Sequence, residues 1–156
     1  MLASLIFGAC SSEDQQIRER LTDFAAQVVH RPEEAQAARN TRITAKLHDS
    51  FAEVVEVEGE DLASRRLERT ELLQLLAVGI SPPIAALDLT DLDVRLGEPP
   101  ATTTVHGAIV TSSSQPGDLH GQASKFSVDL QKTGGQWRVV RLWLGQPRVE
   151  LPEARP

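Results

Sequence analysis

Cysteine occurs once in this 156-residue chain and tyrosine not at all, and the remaining aromatics are four phenylalanines and two tryptophans. One thiol excludes an intramolecular disulfide and a multi-cysteine metal cage, which leaves Cys10 as a buried, reactive or modified group. So few aromatics argue against a stacking platform for single-stranded nucleic acid. Sixteen basic residues against 22 acidic ones give a net charge of -6. No block of five like charges occurs, so capture of DNA or RNA by charge is disfavoured and no nucleic-acid partner is expected. The apolar run Leu2 to Ala9 is far shorter than the roughly 20 residues a membrane-spanning helix needs. Paired-histidine zinc helices, phosphate-cradling glycine loops, serine nucleophile elbows and CxxC pairs are all missing, so no metal and no cofactor is expected. What is present is 40% apolar content, enough for one core and hence one domain with short extensions.

The opening run ends in Phe7-Gly8-Ala9-Cys10 and gives way at once to Ser11-Ser12-Glu13-Asp14. This pattern resembles the end of a bacterial lipoprotein signal peptide. Small residues before the cysteine suit the peptidase, and the thiol is the nucleophile that takes the diacylglyceryl group. The resemblance implies a signal-like segment over residues 1–10, lipidation at Cys10, and a membrane partner reached through that lipid. It places the protein in the cell envelope, and Ser11 resembles the sorting pattern for the periplasmic face of the outer membrane. The other reading is an apolar start of a cytosolic protein with a buried free cysteine.

Ser12 and Gln15 fit a capping box, so a helix is expected to start at Ser12. Ile17, Leu21, Phe24, Ala25 and Val28 recur at helical spacing and give it one apolar stripe ending near Arg31. Pro32 suits the first turn of a second helix, with Ala35, Ala38, Ile43 and Leu47 as its stripe and an end near Asp49. Phe51 to Val57 reads as a strand closed by Gly59, and Thr70 to Val78 as a short helix ended by Gly79 and Pro82-Pro83.

Four strand-like runs follow: Ile84 to Leu96, Ala101 to Ser113, Gln122 to Thr133 and Gln136 to Leu144. Helices first and strands second argue an α+β fold, with helices on one face of a curved antiparallel sheet. Leu87 and Leu89 have one parity while Leu92, Val94 and Leu96 have the other, which predicts a β-bulge near Thr90-Asp91. Gly134-Gly135 tolerates the positive φ of a two-residue hairpin turn. Regular pairing outward from it sets Leu130 opposite Val139, Val128 opposite Arg141 and Phe126 opposite Trp143, with Trp137 on the same core face. Val140, Leu142 and Leu144 then lie on the other face, under the tail or in a homodimer patch. Residues 11–145 form the domain and 146–156 an irregular tail.

The order of elements, with Gly134-Gly135-Gln136-Trp137-Arg138-Val139-Val140 as its best local token, resembles the nuclear transport factor 2-like superfamily over Asp14 to Leu144. That resemblance implies a cone-shaped, cystatin-like roll whose cup hosts enzymes, adaptors or ligand binders, so fold alone does not give function. Enzymes of the superfamily use an Asp or a His-Asp pair inside the cup, where burial raises a carboxyl pKa. No such pair maps onto this chain. His48-Asp49 ends the second helix and reads as a cap or surface pair. Asp88, Asp91 and Asp93 alternate on the bent strand and read as a solvated face. His30 and His120 fall near element ends or loops and need no role. The candidate cup or ligand contacts are Arg141, His106, Trp137 and Trp143. Arg141, between Val139 and Trp143 on the inferred core face, must snorkel, pair with a carboxylate or meet an anionic ligand. The resulting expectation is a non-enzymatic, lipid-anchored domain that binds a small molecule or a partner protein through its cup or outer sheet. The alternative is a small-molecule isomerase, cyclase or hydrolase-like enzyme with an acid/base in the cup.

Overall fold

The computed structural model describes residues 3–60, 63–78, 84–97, 102–113, 122–145 and 148–149. Within these, side chains are described for 13–60, 63–78, 86–97, 102–112 and 123–145. Helix α1 (Ala3–Val28) comes first, then α2 (Gln36–Leu47), a 3-10 turn (His48–Ser50), β1 (Phe51–Gly59) and β2 (Arg65–Glu68). Helix α3 (Arg69–Val78) precedes β3 (Ile84–Leu96), β4 (Thr102–Ser113), β5 (Gln122–Thr133), β6 (Gln136–Leu144) and the two-residue β7 (Arg148–Val149). The curved sheet runs in the order β2-β1-β6-β5-β4-β3, with β7 added to the start of β5. Neighbours are antiparallel except β1 and β6, which pair in parallel. The architecture is α+β, as the order of helices and strands predicts.

Helix α1 begins nine residues before the expected start at Ser12 and passes through Cys10 and the Ser11 to Asp14 stretch. No proline interrupts residues 3–28, so local propensity carries the helix through a segment that reads as a polar linker. Among the described residues no helix is long and apolar enough to cross a membrane. The stripe of α1 is buried as expected, with Ile17 at 0% exposure and Leu21, Ala25 and Val28 below 7%.

Helix α2 starts later than predicted. Pro32 lies instead in a β-turn closed by the Glu34 amide donating to the Arg31 carbonyl at 3.2 Å, with Glu33 at φ 68. Proline second and a left-handed residue third is the type II arrangement. The buried line of α2 is Arg39, Ile43 and Leu47, while Ala35 and Ala38 are exposed. Arg39 is 6% exposed. Its guanidinium donates to the Val28 carbonyl at 3.0 Å and the Val29 carbonyl at 3.3 Å, past the end of α1, and to Leu76 at 3.3 Å and Ala77 at 3.0 Å near the end of α3. One cation thus satisfies the free carbonyls and the negative dipole ends of two helices. Burial pulls its pKa down, and nearby Arg42 adds to that.

Beside it Arg42 holds Glu34 in a two-point pair at 2.9 and 2.8 Å and donates to the Gln27 carbonyl at 2.6 Å. The hydrogen bond from Arg42 holds the Glu34 carboxyl below its ordinary range. A depressed carboxyl pKa stabilises the fold above its unfolded value, and that contribution fades as pH falls through the folded value.

The core lies between the helices and the inner face of the sheet, where Ile43, Leu47, Phe51, Val55, Val105 and Leu130 are at most 1% exposed. Phe24 of α1 meets Phe51 edge to face, with ring centroids 5.5 Å apart. The predicted bulge in β3 is present: Thr90 faces Ala108 and Asp93 faces His106, which leaves one extra residue on β3, and Asp91 sits at φ 54. The β5–β6 turn has Gly134 at φ 59 and Gly135 at φ 80, the primed-turn geometry that two glycines allow.

Candidate functional site

From that turn the hairpin starts in the expected register, with Thr133 opposite Gln136 and Leu130 opposite Val139. It then departs. Asp129 faces Arg141, Val128 faces Leu142 and Phe126 faces Leu144, so Val140 is an extra residue and β6 carries a bulge. Because side-chain direction alternates along a strand, one inserted residue exchanges the faces beyond it. Leu142 and Leu144, expected outside, pack on the core, while Arg141 and Trp143, expected inside, turn outward. Trp137 precedes the bulge and stays in the core at 3% exposure, as does Phe126 at 5%.

The outward turn brings three of the four nominated residues together. A shallow groove of about 460 Å³ on the outer sheet face is lined by His106, Ser127, Asp129, Arg141, Trp143 and Glu58, among others. Its geometry follows from register. Asp93, His106, Ser127, Trp143 and Glu58 stand directly opposite one another on β3, β4, β5, β6 and β1. The next row reads Arg95, Thr104, Asp129, Arg141, Glu56 and Arg66, so charges of opposite sign alternate along its β5–β2 half.

Arg141 Nη2 donates to Glu56 Oε2 at 3.2 Å and lies 3.5 Å from Glu58 Oε1. The Thr104 hydroxyl donates to Asp129 Oδ1 at 2.8 Å. Asp93 is engaged by Arg95 at 2.9 Å. The guanidinium expected to face the cup is therefore paired with carboxylates on an open face, 46% exposed. Trp143 is half-buried, its ring edge close to Gly145, where an added Cβ would lie 3.4 Å from Cη2.

Although Ser127, His106 and Asp93 are neighbours in one row, no hydrogen bond among the described residues links His106 to either. A proton relay needs that contact. The groove offers instead a flat aromatic edge, a hydroxyl, an imidazole and paired charges, the chemistry of reversible polar recognition.

The inner face differs. Leu87, Leu89, Leu92, Val94, Ile109, Leu142 and Leu144 pack partly buried against the core, and among the described residues the buried polar groups are Arg39, Ser50 and Thr103. Gly107 is required here, since a Cβ would come within 2.8 Å of Phe126 and 2.9 Å of Leu92 side-chain atoms. Trp137 carries the cation of Lys132 at 5.9 Å from its ring centroid, and Lys132 pairs with Glu13 of α1 at 2.9 Å. Its indole nitrogen has no hydrogen-bond partner among the described residues.

His48 and Asp49 do meet, at 3.1 Å, on an exposed helix end. That contact holds the Asp49 carboxyl below its usual range, with smaller help from Arg138 and Arg20. Asp88, Asp91 and Asp93 are all exposed on β3. Among the described residues no group of three or more His, Cys, Asp or Glu is placed to hold a metal ion. Cys10 lies within α1, and its side chain is outside the described residues. Of the expected tail, Arg148–Val149 forms a strand on β5, and the rest lies outside the described residues. The part played by Glu56, Glu58 and Asp129 was missed. Their alternation in β1 and β5 marks them as outward, but only the bulge brings Arg141 to them.

No protein-family model matches the chain, and no curated protein matches it. Solved structures do. An NTF2-like protein with a cystatin-like fold from Novosphingobium aromaticivorans is 17% identical, with a TM-score of 0.68 over 92% of this chain and 86% of that one. The Kfla4162 protein of Kribbella flavida is 11% identical, with a TM-score of 0.71 over 90% and 95%. A candidate scytalone dehydratase from Novosphingobium aromaticivorans is 12% identical, with a TM-score of 0.64 over 96% and 99%. At such identities the likeness is one of fold.

Proposed function

We propose that this chain, which has the nuclear transport factor 2-like fold, is a lipid-anchored envelope protein that binds a small molecule or a partner protein through the outer face of its sheet. The observation that carries the binding half is the gathering of Arg141, His106 and Trp143 in one outer groove by the β6 bulge. Among the described residues no carboxylate or imidazole is buried, which supports binding over catalysis, because a general base in the cup needs one there. The anchor rests on the small-small-Cys ending at Cys10, with lipid as the membrane contact.

Two experiments test it. Expressed as the full chain in a lipoprotein-competent host, the protein should gain the mass of a diacylglyceryl group and partition into detergent, and Cys10→Ser should lose both. An unmodified wild-type mass sinks the anchor. In a thermal-shift screen of small metabolites, compounds that stabilise the wild type should fail with the double variant Arg141→Ala/Trp143→Ala. Equal stabilisation of both moves binding elsewhere. The neighbour whose name is that of a dehydratase favours the alternative, an enzyme with a cup acid/base. It would gain ground if such compounds were consumed by the wild type.

A further inference from the structure

At the opposite side of the core from the groove, α1, the end of α2 and the β5–β6 turn enclose a cleft of about 680 Å³. Four charged side chains line it: Glu19, Arg20 and Asp23 from α1 and Lys46 from α2. Some charges of this protein pair closely, as in Arg42–Glu34, Lys132–Glu13 and Arg141–Glu56, and those of the cleft do not. Among the described residues none of the four has an ion-pair partner within 4.0 Å. Arg20 reaches only the Ser50 hydroxyl at 3.4 Å, and Glu19 only accepts from Gln15 at 3.1 Å.

Their arrangement is ordered. At about 100° per residue, Glu19 and Asp23 stack at i and i+4 on one flank of α1, and Arg20 with Phe24 falls on the other. Two like charges one turn apart repel each other, and a cation between them relieves that repulsion. The wall adds Phe24 and Trp137. Trp137 is 3% exposed, and its indole N–H is a buried donor without a partner among the described residues, a cost that proteins rarely leave standing.

We propose that this cleft binds a small zwitterion with an aromatic body, that is, an aromatic α-amino acid or a short unblocked peptide bearing one. Its ammonium sits between Glu19 and Asp23, its carboxylate is held by Arg20 and Lys46, and its ring packs on Phe24 and Trp137. Net charge in the site is zero, so neither a simple anion nor a simple cation satisfies all four groups. Arg20, with a planar fork of donors and one long hydrogen bond, suits a carboxylate better than a surface lysine does. The site is independent of the outer groove and of the anchor.

The test uses the full 156-residue chain, labelled with nitrogen-15, and L-phenylalanine as probe. The chain has two tryptophans, so two indole N–H signals report on the two concave regions, and Trp143→Phe identifies them. The Trp137 signal should move saturably at millimolar phenylalanine while that of Trp143 stays in place. N-acetyl-L-phenylalanine and L-phenylalaninamide, each lacking one charge, should each bind roughly tenfold more weakly, the scale of one charge-assisted contact. Arg20→Gln should weaken the parent amino acid by a similar factor. The proposal is overturned by a Trp137 signal that never saturates, by capped analogues that bind as well as the parent, or by full affinity in Arg20→Gln. Should that variant fold poorly, the analogue series on the wild type decides alone.

Discussion

Along β5, Phe126, Val128 and Leu130 are 5, 2 and 0% exposed, while Ser127 and Asp129 between them look out into a groove shared with His106 and Arg141. Inner and outer faces of the same strands thus hold opposite chemistry one peptide apart. β5 achieves this by simple alternation. β6 achieves it only through Val140, whose extra residue resets the alternation so that Leu142 and Leu144 go in and Arg141 and Trp143 go out. The polar side chains of β5 and β6 thereby stand on the open side of the sheet rather than in the cup.

The strongest way to break the inner face is Phe51→Ala. Phe51 is 1% exposed and braced by Phe24, and its loss should cost about 4 kcal/mol by urea denaturation. Next comes Arg39→Met, which keeps volume but strands the Val28, Val29 and Leu76 carbonyls at the ends of α1 and α3, while that of Ala77 keeps the Gln36 side-chain amide at 2.8 Å. About 3 kcal/mol should be lost, and amide exchange should quicken at the ends of those two helices. A smaller change at Arg39 would mean that water replaces the guanidinium.

Deleting Val140 sharpens the comparison most directly. With the bulge removed, Asp129–Arg141 and Val128–Leu142 remain opposite each other in a regular ladder, so the protein should fold with a loss of about 1 to 3 kcal/mol. An unfolded deletion variant would refute the bulge as the device that sets the two faces. The smallest effect belongs to the outer face: Arg141→Ala removes a half-exposed pair with Glu56 and Glu58 and should shift stability by about 1 kcal/mol or less, with a salt dependence to match.

Much of this was readable from residue order. Gly134-Gly135 announced its turn because two adjacent positions free to take positive φ have few other uses, and the parity change among Leu87, Leu89, Leu92 and Val94 announced the β3 bulge. The β6 bulge gave no such sign. Val139 and Val140 are both apolar and β-branched, and either parity from there finds large apolar side chains, Trp143 on one and Leu142 with Leu144 on the other. Arg39 was missed because an arginine on a helix reads as solvated unless two helix ends converge on it, a fact of tertiary packing. Strand β2 was missed because Arg65-Arg66-Leu67-Glu68 offers one apolar residue among charges, and only Leu67, 5% exposed, anchors it. The charges around the α1 cleft were hidden for a similar reason: Glu19, Arg20 and Asp23 look like ordinary helix surface, and only the tertiary fold brings Lys46 and the β5–β6 turn beside them.

Among the described residues β3 (Ile84–Leu96) pairs only with β4, so it forms one margin of the sheet, and about every second residue along it turns its N–H and C=O outward. A long flat margin invites another chain to add itself and start a fibre. Here the left-handed Asp91 breaks the line of free donors and acceptors, and Asp88, Asp93 and Arg95 set charge along it. The same kink that helps to curl the shell therefore also guards the molecule against self-templated polymerisation at high local concentration.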